Sequence, residues 1–263
     1  MSDKNYLNIF IEPILKSKDY RPKFGDSSKK EGVTLAEFYE LYGSDPFYSW
    51  IGLDTDLMYA AHRAAGGMTS LYRQIGIGCE SLFRQIIIDL TQYSKPEFAV
   101  WSYKTKTQSG RTKTLKLDAR LELGAIQNRQ VSDRITDWMN DYCQQIDAEV
   151  PTNGVVFEVR QGYKSKDSKR QNADIDNAAV AWSKGYLPIF AIFSSQIDAD
   201  IVLRYRNNRS GILIGSAASD PTVSLYAFCE QVIGYDLAGF FGRNSSQIQK
   251  HVHEIIQTLL SAE

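Results

Sequence analysis

The sequence predicts an α/β protein with a central mixed sheet flanked by helices. Three observations carry this. Apolar residues recur at helical spacing through the first part of the chain, and at Pro96 the period changes to two. From there the order is hairpin, helix, strand, helix, strand, the alternation expected of one sheet with helices packed around it.

Taken in order, Leu7, Phe10, Ile11, Ile14 and Leu15 mark a first helix that Pro13 would bend or shorten. A loop rich in Gly, Ser and Lys follows over 24–32. Leu35, Phe38, Tyr39 and Tyr42 share one face of a second helix over 34–42. Asp54 reads as the N-cap of a third helix that Gly66-Gly67 ends. Gly76-Ile77-Gly78 reads as a further break before a strongly amphipathic helix over 79–90. Residues 98–106 read as a strand, Gln108-Ser109-Gly110 as a hairpin turn, and 112–123 as the returning strand. On that strand Leu115, Leu117, Ala119, Leu121 and Leu123 alternate with Lys116, Asp118, Arg120 and Glu122, giving one apolar and one charged face.

A helix over 131–146 buries Ile135, Trp138, Met139, Tyr142 and Ile146. Pro151-Thr152-Asn153-Gly154 is a turn that opens a strand over 155–161. A helix over 172–184 and a buried strand over 187–194 come next. The remainder reads as strands over 201–205 and 211–214 and helices over 223–233 and 246–260. Phe228, Tyr235, Leu237, Phe240 and Phe241 there suit either core or a dimer surface.

Composition excludes several classes. The 263 residues carry a formal net charge of -1, with 43% hydrophobic and 23% charged side chains, ordinary values for a globular protein. The apolar stretches, 187–193 among them, are far shorter than the roughly 20 residues of a membrane span. The N-terminus lacks the layout of a signal peptide, so a cytoplasmic location is expected. Cys79, Cys143 and Cys229 are widely spaced and read as buried free thiols, and no Cys/His spacing suggests zinc. His251 and His253 point to different faces of a helix. The chain holds no Ser-His-Asp spacing, Walker loop or dinucleotide fingerprint.

The chemistry concentrates on two predicted strands. An apolar run, Gly154-Val155-Val156-Phe157, leads directly into Glu158, and five cations follow: Arg160, Lys164, Lys166, Lys169 and Arg170. Asp118 sits in similar apolar alternation on the hairpin's second strand, with Glu122 on the same face as a competitor. Carboxylates on neighbouring strands can converge on one Mg²⁺, a hard cation that takes oxygen ligands together with water and phosphate oxygens. The plain alternative is a solvated face on which both acids lie beside Arg120 and Arg160.

A helix carrying Glu80, a hairpin strand carrying Asp118 and a strand bearing Glu158-Val159-Arg160 together resemble the PD-(D/E)xK nuclease core, in particular that of type II restriction endonucleases. The resemblance covers roughly residues 75–205 and rests on short motifs. It implies a restriction-endonuclease-like core (75–205) within a single nuclease domain, with helical additions at the N-terminus (1–74) and C-terminus (206–263). It also implies Mg²⁺ held by Asp118 and Glu158, with Glu80 assisting. Arg160 stands where the family usually has Lys. Because Arg stays protonated it cannot act as a base, though it can stabilise developing charge. The catalytic cation is therefore Arg160 itself, or Lys164 or Lys166 from the following loop.

The implied partner is double-stranded DNA, and a palindromic site would call for a homodimer. Lys104, Lys106, Arg111 and Lys113 cluster at the hairpin tip, as in a phosphate-contacting arm. Gln161, Lys169, Arg170 and Gln171 supply groups able to reach phosphates or base edges, as do Arg204, Arg206, Asn207 and Arg209 after the predicted strand over 201–205. Each cluster has a bland counterpart in a solvated polar loop. Two rival functions stand beside sequence-specific cleavage: a nuclease of the same core with little sequence preference, and a DNA-binding protein without catalysis.

Overall fold

Tyr186–Ile192 is almost wholly apolar and forms a strand buried throughout, and Gly154–Arg160 forms a strand that is buried except at Glu158 and Arg160, which are half-buried. Such strands need helices on either side, which is the setting of parallel pairing. The structure, a computed structural model, describes residues 1–25, 28–106, 111–162 and 168–262, with the backbone alone for Lys106, Lys113, Ser168 and Arg170.

In chain order the helices are α1 (Asp3–Leu15), α2 (Leu35–Gly43), α3 (Pro46–Trp50), α4 (Asp56–Thr91), α5 (Arg129–Gln145), α6 (Ser168–Ser183), α7 (Ala199–Asn207), α8 (Leu225–Ala227) and α9 (Leu237–Leu259). A π-helical turn over Phe228–Ile233 continues α8. The strands are β1 (Trp101–Lys106), β2 (Thr112–Leu117), β3 (Ala119–Glu122), β4 (Gly154–Arg160), β5 (Tyr186–Ile192) and β6 (Gly211–Ile214). The chain divides into two units: Met1–Tyr6 with Cys79–Gly242, and Leu7–Gly78 with Arg243–Glu263.

The first unit is α/β. A four-stranded mixed sheet runs β3-β4-β5-β6, with β3 antiparallel to β4 and the other pairs parallel, and β1 and β2 form a separate antiparallel pair. Alternate residues of β4 and β5 meet different helices. Phe157 packs on Phe83 of α4 and on Phe228, at ring distances of 5.0 and 5.8 Å. On the opposite face Val156 joins Trp101, Leu117, Tyr186 and Ala181 of α6, while Phe190 stacks on Tyr205 of α7 at 4.1 Å. The three cysteines are buried and unbonded to one another.

Two sequence expectations are corrected here. The single returning strand over 112–123 is two strands that meet at Asp118. Leu117 is the last residue paired with β1 and Ala119 the first paired with β4, so the chain changes partner at that point. Residues 201–205, expected as a strand, lie in α7. The Asp198 side chain caps this helix by accepting from the Asp200 N–H at 2.9 Å, and Ile201 and Tyr205, four residues apart, enter the same core as Phe190 and Ile192. The aromatic residues near the C-terminus divide: Phe228, Leu237 and Phe240 are fully buried core, while Tyr235 and Phe241 are half-buried.

In the second unit, Thr34 and Glu37 form a capping box that starts α2. Phe24, Phe38, Tyr42 and Tyr59 make an aromatic core there. The larger correction concerns α4. It runs unbroken through Gly66, Gly67, Gly76 and Gly78, where breaks were expected. Close packing explains three of these glycines. An ideal Cβ would lie 2.0 Å from the Tyr20 hydroxyl at Gly66, 2.4 Å from Leu259 Cδ2 at Gly67 and 2.5 Å from the Phe10 carbonyl oxygen at Gly78. Among the described residues no helix is long and apolar enough to cross a membrane.

Candidate active site

Asp118 stands at the hinge between β2 and β3, and its hydrogen bonds bracket Glu158 on the neighbouring strand. The Asp118 N–H donates to the Phe157 carbonyl at 2.9 Å, and Asp118 Oδ2 accepts from the Val159 N–H at 2.7 Å. The Asp118 carbonyl in turn accepts from Arg84 Nε of α4 at 2.7 Å. The edge thus holds Asp118 by three bonds beside the residue that the sequence paired with it.

Glu158 and Arg160 share one face of β4, and α6 covers that face. Arg160 Nη2 contacts Glu158 Oε1 at 2.6 Å and Asp174 Oδ1 at 3.0 Å. Asp174 Oδ2 accepts from the Tyr205 hydroxyl of α7 at 2.7 Å. These side chains are well withdrawn from solvent, with 16%, 15% and 5% exposure for Arg160, Glu158 and Asp174. Between Glu158, Asp174, Asn177 and Phe190 lies a cavity of about 10 Å³, close to the room that one water needs.

The electrostatics follow from crowding carboxylates in a dry place. Burial, and then the Asp118 charge, push the Glu80 carboxyl up to about 7, against the pull of Arg84 and Arg160. Glu158 is raised well above the carboxylate range by burial and then by Asp118, with Arg160 opposing. Asp118 is raised by burial, and the Val159 N–H, Arg160 and Arg84 offset part of that. All three therefore hold protons more tightly than free carboxyls do.

The donor set is all oxygen, which suits a hard divalent cation, and such a charge would relieve the mutual repulsion of the acids. Among the described residues no group of three or more His, Cys, Asp or Glu side chains is arranged to hold a metal ion. Any Mg²⁺ would rest on one or two carboxylates and fill its shell with water and phosphate oxygens, as that ion commonly does.

The other sequence candidates scatter. Lys164 and Lys166 lie outside the described residues, as does the hairpin tip over 107–110. Lys104 of β1 and Arg111 are exposed; Lys106 ends β1 and Lys113 lies on β2. Gln161 follows β4 directly, and its carbonyl accepts from the Ser194 N–H at 3.0 Å. Lys169 is exposed on the first turn of α6, beside Arg170. Gln171 is buried, and its Oε1 accepts from Arg204 Nη1 at 2.6 Å; Arg204 also binds the Asn172 side chain, so this pair ties α7 to α6. Arg206 and Asn207 are exposed at the end of α7, and Arg209 lies just beyond it, 3.9 Å from Asp147. Glu122, the competitor to Asp118, is taken up elsewhere by Arg120 and the Tyr186 hydroxyl.

Sequence reading missed three members of the cluster. Arg84 follows Glu80 by four residues, a spacing that puts both on one helix face and could have drawn attention to it. Asp174 and Tyr205 are assigned no role by the sequence, because their roles depend on α6 and α7 meeting over the sheet. Compared with protein-family models, with curated proteins and with solved structures, the chain matches none.

Proposed function

We propose that the chain is a Mg²⁺-dependent endodeoxyribonuclease that hydrolyses phosphodiester bonds of double-stranded DNA at a specific short sequence, built on a PD-(D/E)xK core. The observation that carries this reading is the bracketing of Glu158 by Asp118, in a buried acidic cluster directly before the basic segment 160–170. Carboxyls raised together by burial and mutual repulsion are a feature of sites built for charged chemistry.

In this reading Asp118 and Glu158 would hold the metal. Mg²⁺, when bound, would polarise the scissile phosphate and lower the pKa of an attacking water. Arg160 supplies fixed positive charge near the reacting phosphoryl group, held in position by Asp174. Glu80, which is not assigned to the metal, is a carboxyl close to Asp118 that can carry a proton near neutrality, a task closed to Arg160. Two copies of the chain would bind a palindromic site as a homodimer.

Plasmid DNA tests this directly. With Mg²⁺ the chain should convert it to discrete fragments, and both EDTA and Glu158→Ala should abolish cutting. A smear would assign the same core to a nuclease of little sequence preference. DNA that is retarded on a gel yet left intact in Mg²⁺ would replace the enzyme with a binding protein.

A further inference from the structure

A second polar site lies wholly within the unit formed by Leu7–Gly78 and Arg243–Glu263. Asp19, Tyr20, Arg21, Lys23, Lys30 and Glu31, together with one face of α4, line an open cleft of about 560 Å³, within the size range of small-molecule pockets. On the α4 side Gly66, Thr69, Ser70 and Arg73 recur at i, i+3, i+4 and i+7, so they form a single stripe. The loop side contributes Arg21, Lys23 and Lys30, and two acids, Asp19 and Glu31, also line the cleft.

The loop wall is fixed to α4 and to itself. Arg63 Nε of α4 donates to the Tyr20 carbonyl at 3.3 Å, and the Tyr20 ring fits against Gly66, where a Cβ would meet its hydroxyl. The Val33 N–H donates to the Pro22 carbonyl at 2.8 Å, closing the loop. At Gly32 φ is +78° and an ideal Cβ would lie 2.5 Å from the Arg21 carbonyl oxygen, so the chain crosses itself where a side chain has no room. The neighbouring Lys29 is engaged by Glu37, whereas Lys30 lines the cleft.

Among the described residues none of Arg21, Lys23, Lys30 and Arg73 pairs with a carboxylate. Four cations and two acids thus line one cleft; the Thr69 hydroxyl is turned back to the Ala65 carbonyl at 3.4 Å, and the Ser70 hydroxyl is able to donate to a ligand. Carboxylate ligands would gain from the charge alone. Phosphoryl groups would gain more, since their oxygens can take arginine forks, ammonium groups and a hydroxyl together. We propose that this cleft binds phosphoryl groups, supplied either by a free nucleotide or by the backbone of a nucleic acid. The proposal does not rest on Asp118 or Glu158.

Equilibrium anisotropy with the full chain in EDTA separates the two sources, using a fluorescent nucleoside triphosphate in one arm and a short labelled duplex DNA in the other. Arg21→Ala/Arg73→Ala should weaken at least one probe about ten-fold or more at moderate salt, with a shallower salt dependence. Lys250→Ala, at an exposed cation of α9, should leave both unchanged. Loss for the triphosphate alone assigns a nucleotide, and loss for the duplex alone assigns a DNA backbone. Arg73→Gln makes the same comparison should the double variant melt early. Because the readout is binding in EDTA, where no cleavage takes place, failure of the cleavage reading leaves this result intact. The proposal is overturned if neither probe binds, or if the Arg21 and Arg73 variants hold both probes as tightly as the unaltered chain.

Discussion

Oδ2 of Asp118 accepts a hydrogen bond from the backbone N–H of Val159 at 2.7 Å, so one carboxylate both closes a sheet edge and stands beside Glu158. Removing the acceptor leaves a buried N–H without a partner, since Val159 is 1% exposed. Asp118→Ala should cost about 1–3 kcal/mol of stability, and Asp118→Asn, which keeps an acceptor oxygen, under half of that. Urea denaturation near pH 5, where the raised neighbouring carboxyls carry little charge, isolates the hydrogen bond. Equal losses in the two variants would assign the cost to charge and not to the bond.

The raised carboxyls set a pH dependence with a definite sign. Glu80 keeps its proton up to about 7 in the folded chain, against an ordinary value of 4.5. Between those values the folded state binds more protons than the unfolded one, so stability falls as pH rises through the window. Glu158 and Asp118 are shifted in the same direction and steepen the fall. In EDTA the melting temperature should drop between about pH 5 and pH 8, and Glu80→Gln should flatten part of that slope. A melting temperature that climbs across this range would contradict the proton assignment.

Arg160 answers two buried acids at once, so its loss should be costly. Arg160→Met would leave Glu158 and Asp174 without their shared cation, at roughly 3–5 kcal/mol near pH 8. The cost should shrink near pH 5, because a Glu158 that already holds its proton needs no counter-charge. Chemical denaturation at the two pH values reads the difference. A pH-independent loss would mean that Arg160 contributes packing and not charge.

Much of the first unit was legible in the sequence. Near-continuous apolar runs located β4 and β5, and a two-residue period located β1 and β2, because these patterns reflect burial directly. The pairing of Asp118 with Glu158 was also legible, since each acid interrupts an apolar strand. What escaped depends on contacts distant in sequence. Asp174 and Tyr205 meet only because α6 and α7 both cover the same face of the sheet. The pair Ile201 and Tyr205 fits both a short strand and a helix, and the Asp198 cap decides it. Likewise, nothing local distinguishes a glycine that ends a helix from one that lets another segment approach it.

The glycines of α4 make that last distinction measurable. Gly76 and Gly78 lie two residues apart in the same helix, yet their surroundings are opposite. A Cβ at Gly76 would meet nothing within 4 Å, whereas one at Gly78 would come within 2.5 Å of the Phe10 carbonyl oxygen, a backbone atom that cannot rotate away. Helix propensity alone favours alanine over glycine by about 1 kcal/mol at either position. Gly76→Ala should therefore gain up to that amount. Gly78→Ala should lose roughly 1–3 kcal/mol, because α1 must shift or its packing must open. Paired denaturation curves of the two variants provide the comparison. If both alanines stabilise the chain, close approach is not what keeps glycine at position 78, and the helix contact with Phe10 would have to be looser than the structure has it.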